Sequence, residues 1–506
     1  MPHHDNAPVL VAAGQFTWPD PDVLRTPVDA LEAAARAALD DAACPALASS
    51  IDALGMIRFI ADANPATAGL FPRNPGAEIA TRLGLAEPAT FQAAIGGNTP
   101  QYLVNHFADK LAQGEHRAVL IAGAEALATM FHALGNGEDI SGWSDASVAE
   151  PPMIGVEREG LNAVEQAHGL FEPINTYPLF ENALAHHLGE DPETHRRYIA
   201  ELCAGMSRVA ADNPYAWRRD AMSAEQIGTV EQRNRYVGFP YTRVMNALLA
   251  VDMAAAVVMT TAGHARELGI DPSRCVYLLG GVDVNEVWHV SNRPELHRAP
   301  AIGKAWDTLS GQTGIDIDDV GHFDIYSCFP SAVQIACREI GISPLDERGV
   351  TVTGGLPFFG GPGNNYSLHA IAEMVSTLRG APASHGLVTA NGLYLTKHSL
   401  GLYSSQAPQT PWQASDNQAL QAQIDGSAQV TLAADPAGPA TIESFTVAFG
   451  REGPRQGIVI ARNDAGERVI ANTDNDVAVL EALVASDPIG QRGEISTAEG
   501  KNTLHL

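Results

Sequence analysis

Residues 89–125 read ATFQAAIGGNTPQYLVNHFADKLAQGEHRAVLIAGAE, and their order decides the fold. A strand near Ala89–Ala94 runs into the turn Gly96-Gly97-Asn98-Thr99-Pro100. A helix follows through Leu111, and a second strand ends at Gly123-Ala124-Glu125. Ala118-Val119-Leu120-Ile121-Ala122 is apolar at every position, which suits a strand covered by helices on both faces. The glycines permit positive φ, and the helix start predicts Thr99 as N-cap with Pro100 at the first helical position. N–H groups exposed at such an end favour a developing oxyanion.

A similar unit recurs later. A strand near Phe323–Tyr326 meets a turn at Ser327–Pro330, a helix runs to about Ile340, and the apolar run Gly386–Ala390 follows. Two such units predict a duplicated α/β core with both turns on one side. Nearer the start, Thr26, Pro27 and Asp29 predict a capped helix that buries Leu31, Ala35, Leu39 and Ala42. Between the halves, residues 140–240 are polar and poorly periodic for strands, with a helical stretch at Glu193–Asp212; they read as an insertion over the core. Ser404 to Asn417 has the Ser, Gln and Pro content of a linker. Beyond it, alternating runs such as Phe445–Phe449 and a hairpin at Asn463-Asp464-Ala465-Gly466 predict a small β-barrel over 418–506.

At about 100–200 residues per domain, 506 residues predict three to four packing units. Hydrophobic residues make up 45%, as in a globular protein. Acidic residues outnumber basic ones 59 to 31, a formal charge of −28 that repels phosphate backbones and anionic lipid. Neither a nucleic-acid partner nor a membrane is expected. Five cysteines without CxxC spacing point to a reducing compartment. The start Met1–Asp5 lacks a signal peptide's regions, and the apolar stretch Ala247–Thr260 is too short to span a bilayer. A soluble cytoplasmic protein is expected. HExxH, GxSxG and GxxxxGK[ST] are absent from the sequence, as is metal spacing at His186-His187; no metal is expected.

Four stretches together resemble the thiolase superfamily. Asp252-Met253-Ala254-Ala255-Ala256 is similar to its NDGAAA segment, and Gly114–Glu125 to the strand ending in GGAE. Tyr326-Ser327-Cys328-Phe329 stands where thiolases carry NEAF or HDCF. Gly354-Gly355 and Gly360-Gly361-Pro362-Gly363 stand where they carry GG…GHPxG. The resemblance covers about 8–403 and is nearest the actinobacterial thiolase-like proteins of type 1, which carry an extra C-terminal β-domain. It implies a five-layer αβαβα sandwich over 1–405. The halves would be about 1–135 plus 240–290, and 291–405. It also implies a substrate containing coenzyme A, no covalently bound cofactor, an acyl-CoA partner, and a homodimer or monomer.

The departures from the family fall on its chemistry. The nucleophilic cysteine falls on Gly97, the GHP histidine on Gly361, the late cysteine near Ala390 or Asn391, and the Asn of NEAF on Tyr326. Glycine has no side chain to acylate, so ordinary thiolase activity is not expected. Gly97, Asn98, Thr99, Gly361, Asn364, Asn365, Asn391 and His398 are the expected substrate-binding residues. Tyr326, Tyr366 and His369 are the expected catalytic ones, as they resemble the YDxF and Gly-Tyr-rich pattern of the superfamily's retro-aldolases. Those enzymes pair with an OB-fold partner, whose part the C-terminal domain would play in cis, without the cysteines of a zinc ribbon. The expected function is C–C bond making or breaking on a CoA thioester without an acyl-enzyme. Its alternatives are a non-catalytic acyl-CoA binder and an acyltransferase with an unrecognised nucleophile such as Cys328.

Overall fold

The computed structural model describes residues 5–20, 25–64, 67–144 and 148–506. The first half contributes β1 (Pro8–Thr17), β2 (Ile51–Met56), β3 (Ala89–Ala93), β4 (Ala118–Ala126) and a two-residue edge, β5 (Met153–Ile154). β6 (Tyr236–Gly238) and β7 (Tyr241–Thr242) lie in the insertion, and β8 (Asp252–Thr261) returns to the sheet. The second half contributes β9 (Val276–Asn285), β10 (Val320–Asp324), β11 (His385–Gly392) and β12 (Lys397–Ser404). The order β2-β4-β8-β1 is mirrored by β10-β11-β12-β9, and in each half one parallel pairing is followed by two antiparallel ones. One seam joins the halves, where Val9 and Leu10 pair with Tyr277 and Val276.

The duplication is present in a different register from the expected one. β10 pairs parallel with β11 as β2 does with β4, so β10 matches β2 and not β3. The helix Tyr366–Gly380 leads into β11 as Thr99–Ala112 leads into β4, so it takes the place expected of Pro330–Ile340. β9 pairs with β12 along most of its length and opens the second half; the division therefore falls after β8 and not near residue 290.

Helices Thr99–Ala112 and Tyr366–Gly380 pack on each other, and each touches strands of both halves. Pro27–Asp41 covers the outer face of β1, β8 and β4, and Pro300–Thr313 covers β9 and β12. This gives the αβαβα layering. Val9, Val11 and Leu120 join the outer core with Leu31 and Ala34, whereas Leu10, Val119 and Ile121 join the central one. With both faces covered, these strands have no polar side. The first helix starts on the expected box, with Thr26 Oγ1 accepting from Asp29 N and Asp29 Oδ2 from Thr26 N.

The central helix Thr99–Ala112 carries a buried polar stripe. Gln101 Nε2 donates to Asn105 Oδ1 (2.8 Å), the Tyr403 hydroxyl donates to Gln101 Oε1 (2.7 Å), and Asn105 Nδ2 donates to Asp283 Oδ1 (3.1 Å). Gly281 and Gly401, directly opposed on β9 and β12, make the slot for it. A Cβ on Gly281 would run into Asn105, and one on Gly401 into Gln101.

β13 (Gly438–Phe449), β14 (Pro454–Asn463), β15 (Arg468–Thr473), β16 (Arg492–Ala498) and β17 (Lys501–His505) close into a barrel in the order β13-β14-β15-β17-β16. The insertion is its seat. β6 pairs with β13, and Asn182 Nδ2 donates to the Phe239 and Phe445 carbonyls (3.1 and 2.8 Å). Buried Arg468 pairs with Glu443 and donates to the Arg293 carbonyl (2.6 Å). The polar stretch expected as a linker is pinned down. Ser415 Oγ donates to the Gly281 carbonyl (2.7 Å), and the helix Asn417–Asp425 bonds the edge of β9 that β1 leaves open. Asp283 N donates to Asn417 Oδ1 (3.1 Å), Asn285 N to Gln421 Oε1 (2.7 Å), and Gln421 Nε2 to the Asn285 carbonyl (3.1 Å). No helix among the described residues is long and apolar enough to cross a membrane.

Gly281→Ala tests the slot. One methyl forced against Asn105 is expected to destabilise the chain by about 1–3 kcal/mol, read as a lower denaturant midpoint. An unchanged midpoint would mean that the stripe does not need the opposed glycines.

Candidate functional site

The turn before the central helix ends at Asn98, which is the N-cap; Thr99 lies inside the helix and its hydroxyl donates to the Gly96 carbonyl (2.7 Å). The helix thus starts one residue earlier than the sequence predicts. Gly97 has ordinary φ, so its lack of a side chain answers to space. A Cβ there would run into the Tyr326 hydroxyl and come within 2.6 Å of the Asn391 carbonyl. Where a side chain at 97 would stand, this chain has a phenol reaching across from the other half. Tyr326 is 7% exposed, and burial pushes its pKa well up. Its hydroxyl has no hydrogen-bond partner among the described residues. A neutral phenol in that state donates a hydrogen bond and is a poor base.

The other two expected catalytic residues are occupied elsewhere. The Tyr366 ring meets Tyr326 edge-on at 5.5 Å, but its hydroxyl donates to Asp324 Oδ1 (3.0 Å) and lies 2.6 Å from Thr353 Oγ1. Asp324 also accepts from Thr351 and from the backbone of Val352 and Thr353, so this network shapes the loop 351–355. His369 Nδ1 is bonded to Gln15 Oε1 (2.9 Å), its Nε2 is buried without a partner, and burial lowers its pKa to about 3. His369 is a neutral core residue and no proton relay near pH 7.

The glycine-rich turn is tied to the first half. Asn364 Oδ1 accepts from Gly96 N (3.1 Å) and its Nδ2 donates to the Arg58 carbonyl (2.8 Å). Asn365 Nδ2 donates to the Gly123 carbonyl (2.8 Å). Gly361 N donates to the Leu248 carbonyl (2.9 Å), and a Cβ at 361 would press on Ala247 and Leu356. Glu125, at the end of β4, accepts from Ile60 N (2.7 Å) while its Oε2 is buried and unpartnered; burial pushes its pKa up to about 8.

Asn391 Nδ2 donates to the Tyr177 hydroxyl (2.9 Å), and its Oδ1 is buried without a partner. The turn after it holds Leu393 and Leu395 at positive φ, 57° and 51°, which bulky side chains rarely adopt. Tyr177 donates to the Leu393 carbonyl (2.9 Å) and Arg293 to the Tyr394 carbonyl (2.7 Å), clamping the strained turn. His398 Nε2 donates to the Leu395 carbonyl (3.2 Å), and burial lowers its pKa to about 3. Cys328 is pushed up to about 12 by burial, which leaves no thiolate at neutral pH.

Sequence reasoning missed a cavity of about 480 Å³ beside the helix start, lined by Asn98, Thr99, Tyr102, Asp283, Lys397 and Gln418 among others. Burial raises the Asp283 carboxyl to about 7 and lowers the Lys397 ammonium; Lys397 Nζ donates to the Ile95 carbonyl (2.8 Å). Polar residues at 98, 101 and 105, one face of a helix between two sheets, were the available signal.

The description "Thiolase-like protein type 1 additional C-terminal domain" matches residues 419–500. Among solved structures the chain is similar to a monomeric SCP2-thiolase like protein type 1 from Mycobacterium smegmatis. The two are 33% identical over 99% of each chain, with a TM-score of 0.84. The chain belongs to the thiolase-like proteins of type 1. The fold extends to an Ltp2-ChsH2(DUF35) aldolase, at 19% identity over 79% of this chain and 98% of that one, TM-score 0.59. It extends also to the dimeric peroxisomal thiolase of Saccharomyces cerevisiae, at 13% identity over 79% and 98%, TM-score 0.57. No curated protein matches the chain.

Two predictions follow from this type 1 site. In Gly97→Cys/Tyr326→Ala the stability loss is expected to be smaller than the sum of the single losses by about 1 kcal/mol or more, because the second change removes the clash; additive denaturant midpoints would deny the contact. An unfolded glutamate ionises near 4.3, while folded Glu125 keeps its proton to about 8. Unfolding therefore releases a proton between those values, and stability falls as pH rises through them. Melting curves of Glu125→Gln are expected to gain on the parent by about 1 kcal/mol per pH unit from pH 5 to 8; a constant difference would mean that Glu125 is ionised in the fold.

Proposed function

We propose that the protein handles an acyl-CoA thioester without acylating itself and makes or breaks a carbon–carbon bond by retro-aldol-type chemistry. The Tyr326 phenol over Gly97 supports this reading. It fills the nucleophile's place with a neutral donor, beside the N–H groups of the central helix start. A thioester oxygen there would accept from both, and the interaction would strengthen as charge develops on it. In the cleavage direction a base takes the β-hydroxyl proton and the Cα–Cβ bond breaks, releasing a ketone. The resulting enolate, with its oxygen on Tyr326, takes a proton at Cα to leave the shorter acyl-CoA. Tyr326 acts as donor here and not as the base, because burial has raised its pKa.

Two observations favour non-catalytic acyl-CoA binding. The void between Tyr326, Asn391 and His398 is only about 10 Å³, and Tyr366 and His369 are held by other partners.

Incubation with a β-hydroxyacyl-CoA is expected to give ketone and shorter acyl-CoA with no mass increase of the protein. Tyr326→Phe is expected to lower kcat at least a hundredfold with acyl-CoA binding retained. An acyl adduct would restore the acyltransferase reading, and binding without product would leave the non-catalytic one.

A further inference from the structure

The two sides of the site differ in what fills them. On one side Phe329 is stacked by Tyr177 (4.4 Å between ring centres) and by Tyr241 (5.7 Å), so rings from the insertion occupy the approach past the 326–329 turn. On the other side lies the cavity of about 480 Å³, a volume within the range of small-molecule sites. Its wall is completed by the helix Asn417–Asp425.

The groups along that cavity are graded from rim to floor. At the rim the Arg158 guanidinium lies 4.5 Å from the centre of the Trp288 ring and makes no ion pair among the described residues. The wall offers the Tyr102 hydroxyl, Asn285 Oδ1 and the Gln418 amide, none of which has a partner among the described residues. At the floor Lys397 Nζ spends one N–H on Ile95, and Asn98, 7% exposed, keeps its Oδ1 without a partner. The acids nearby are committed: Glu286 accepts from Val287 N and Ala301 N, Asp283 from Asn105, and Asp425 from Gln421. An exposed guanidinium on an aromatic ring, unpaired hydroxyl and amide groups, and a floor at the helix start suit a long neutral chain of amides that ends in phosphate.

We propose that this cavity receives the phosphopantetheine arm of a CoA thioester, phosphate at Arg158 and amides along Asn285 and Gln418, with the thioester delivered to the helix start at Asn98. This rests on the acyl-CoA reading above and adds a route of entry and a role for the additional domain: its first helix forms one wall of the binding site.

Titration calorimetry with CoA, 4′-phosphopantetheine and pantetheine tests it on the full chain. CoA and phosphopantetheine are expected to bind, with Arg158→Ala weakening both at least tenfold and changing pantetheine binding less than twofold. Gln418→Trp, which puts an indole into the cavity from an exposed helix position, is expected to weaken all three. If CoA binds the parent and both variants alike, the thioester enters elsewhere; this inference falls while the acyl-CoA reading stands. If neither CoA nor any acyl-CoA binds the parent, both fall.

Discussion

A helix enclosed by two sheets has no solvent to receive a polar side chain, so every polar group on it must find a protein partner or incur the full desolvation cost. The helix Thr99–Ala112 carries Gln101 and Asn105 in that position, and Asn98 caps it. Their partners, Ser399, Tyr403 and Asp283, all lie on β9 and β12. The chain of bonds therefore fixes the strands of the second half against a helix of the first, and it does so only because Gly281 and Gly401 leave a slot. Packing alone would tolerate small slides between the layers. A buried hydrogen-bond chain permits one register.

That register sets the candidate site. It brings the end of β11 and the turn after β10 up to the start of the central helix, so that Tyr326 and the Asn391 carbonyl close over Gly97. Any side chain at 97 and a tyrosine at 326 compete for one volume; this chain has glycine at the first and tyrosine at the second. The insertion supports this choice from outside. Tyr177 bonds Asn391 and the strained turn at 393–395 while its ring stacks on Phe329. The insertion, expected over the core, thereby supplies a side chain that holds both turns of the site.

Much of the architecture was legible because it follows from local rules. Strands such as Ala118–Ala122 lie between two helix layers and cannot hide that in their sequence, and the Thr26 box and Asn463–Gly466 turn are set by a few residues each. The register of the duplication was not legible, since β2 and β3 are both short parallel strands followed by helices. The partner of β10 is settled only by which strand lies beside it. The strands β6 and β7 were hidden for the same reason: their two or three residues become strands only because β6 adds to β13 and β7 to β6. At the site, Gly97 and Tyr326 were each readable as departures from the family's pattern, but their contact and the state of the titratable groups were not. His369 looked like a proton carrier by type, yet depth in the core has taken it to about 3, while Asp283, unremarked in sequence, is raised to about 7 at a cavity wall.

The additional domain reaches the cavity through its first helix. β9 is left with an open edge where β1 peels away, and an open edge invites pairing with another chain. Asn417 and Gln421 occupy it with side-chain amides, which offer the same donors and acceptors as a neighbouring strand in one helical turn and leave the helix free to face the cavity with Gln418. The barrel is held apart from this point, on β6 and Asn182 of the insertion and through Arg468 on the second half. The chain after β12 is therefore fixed at both ends of its path, over β9 and under the barrel. A segment held in that way is a wall formed in advance, and a wall formed in advance reduces the ordering cost of the binding proposed for this cavity.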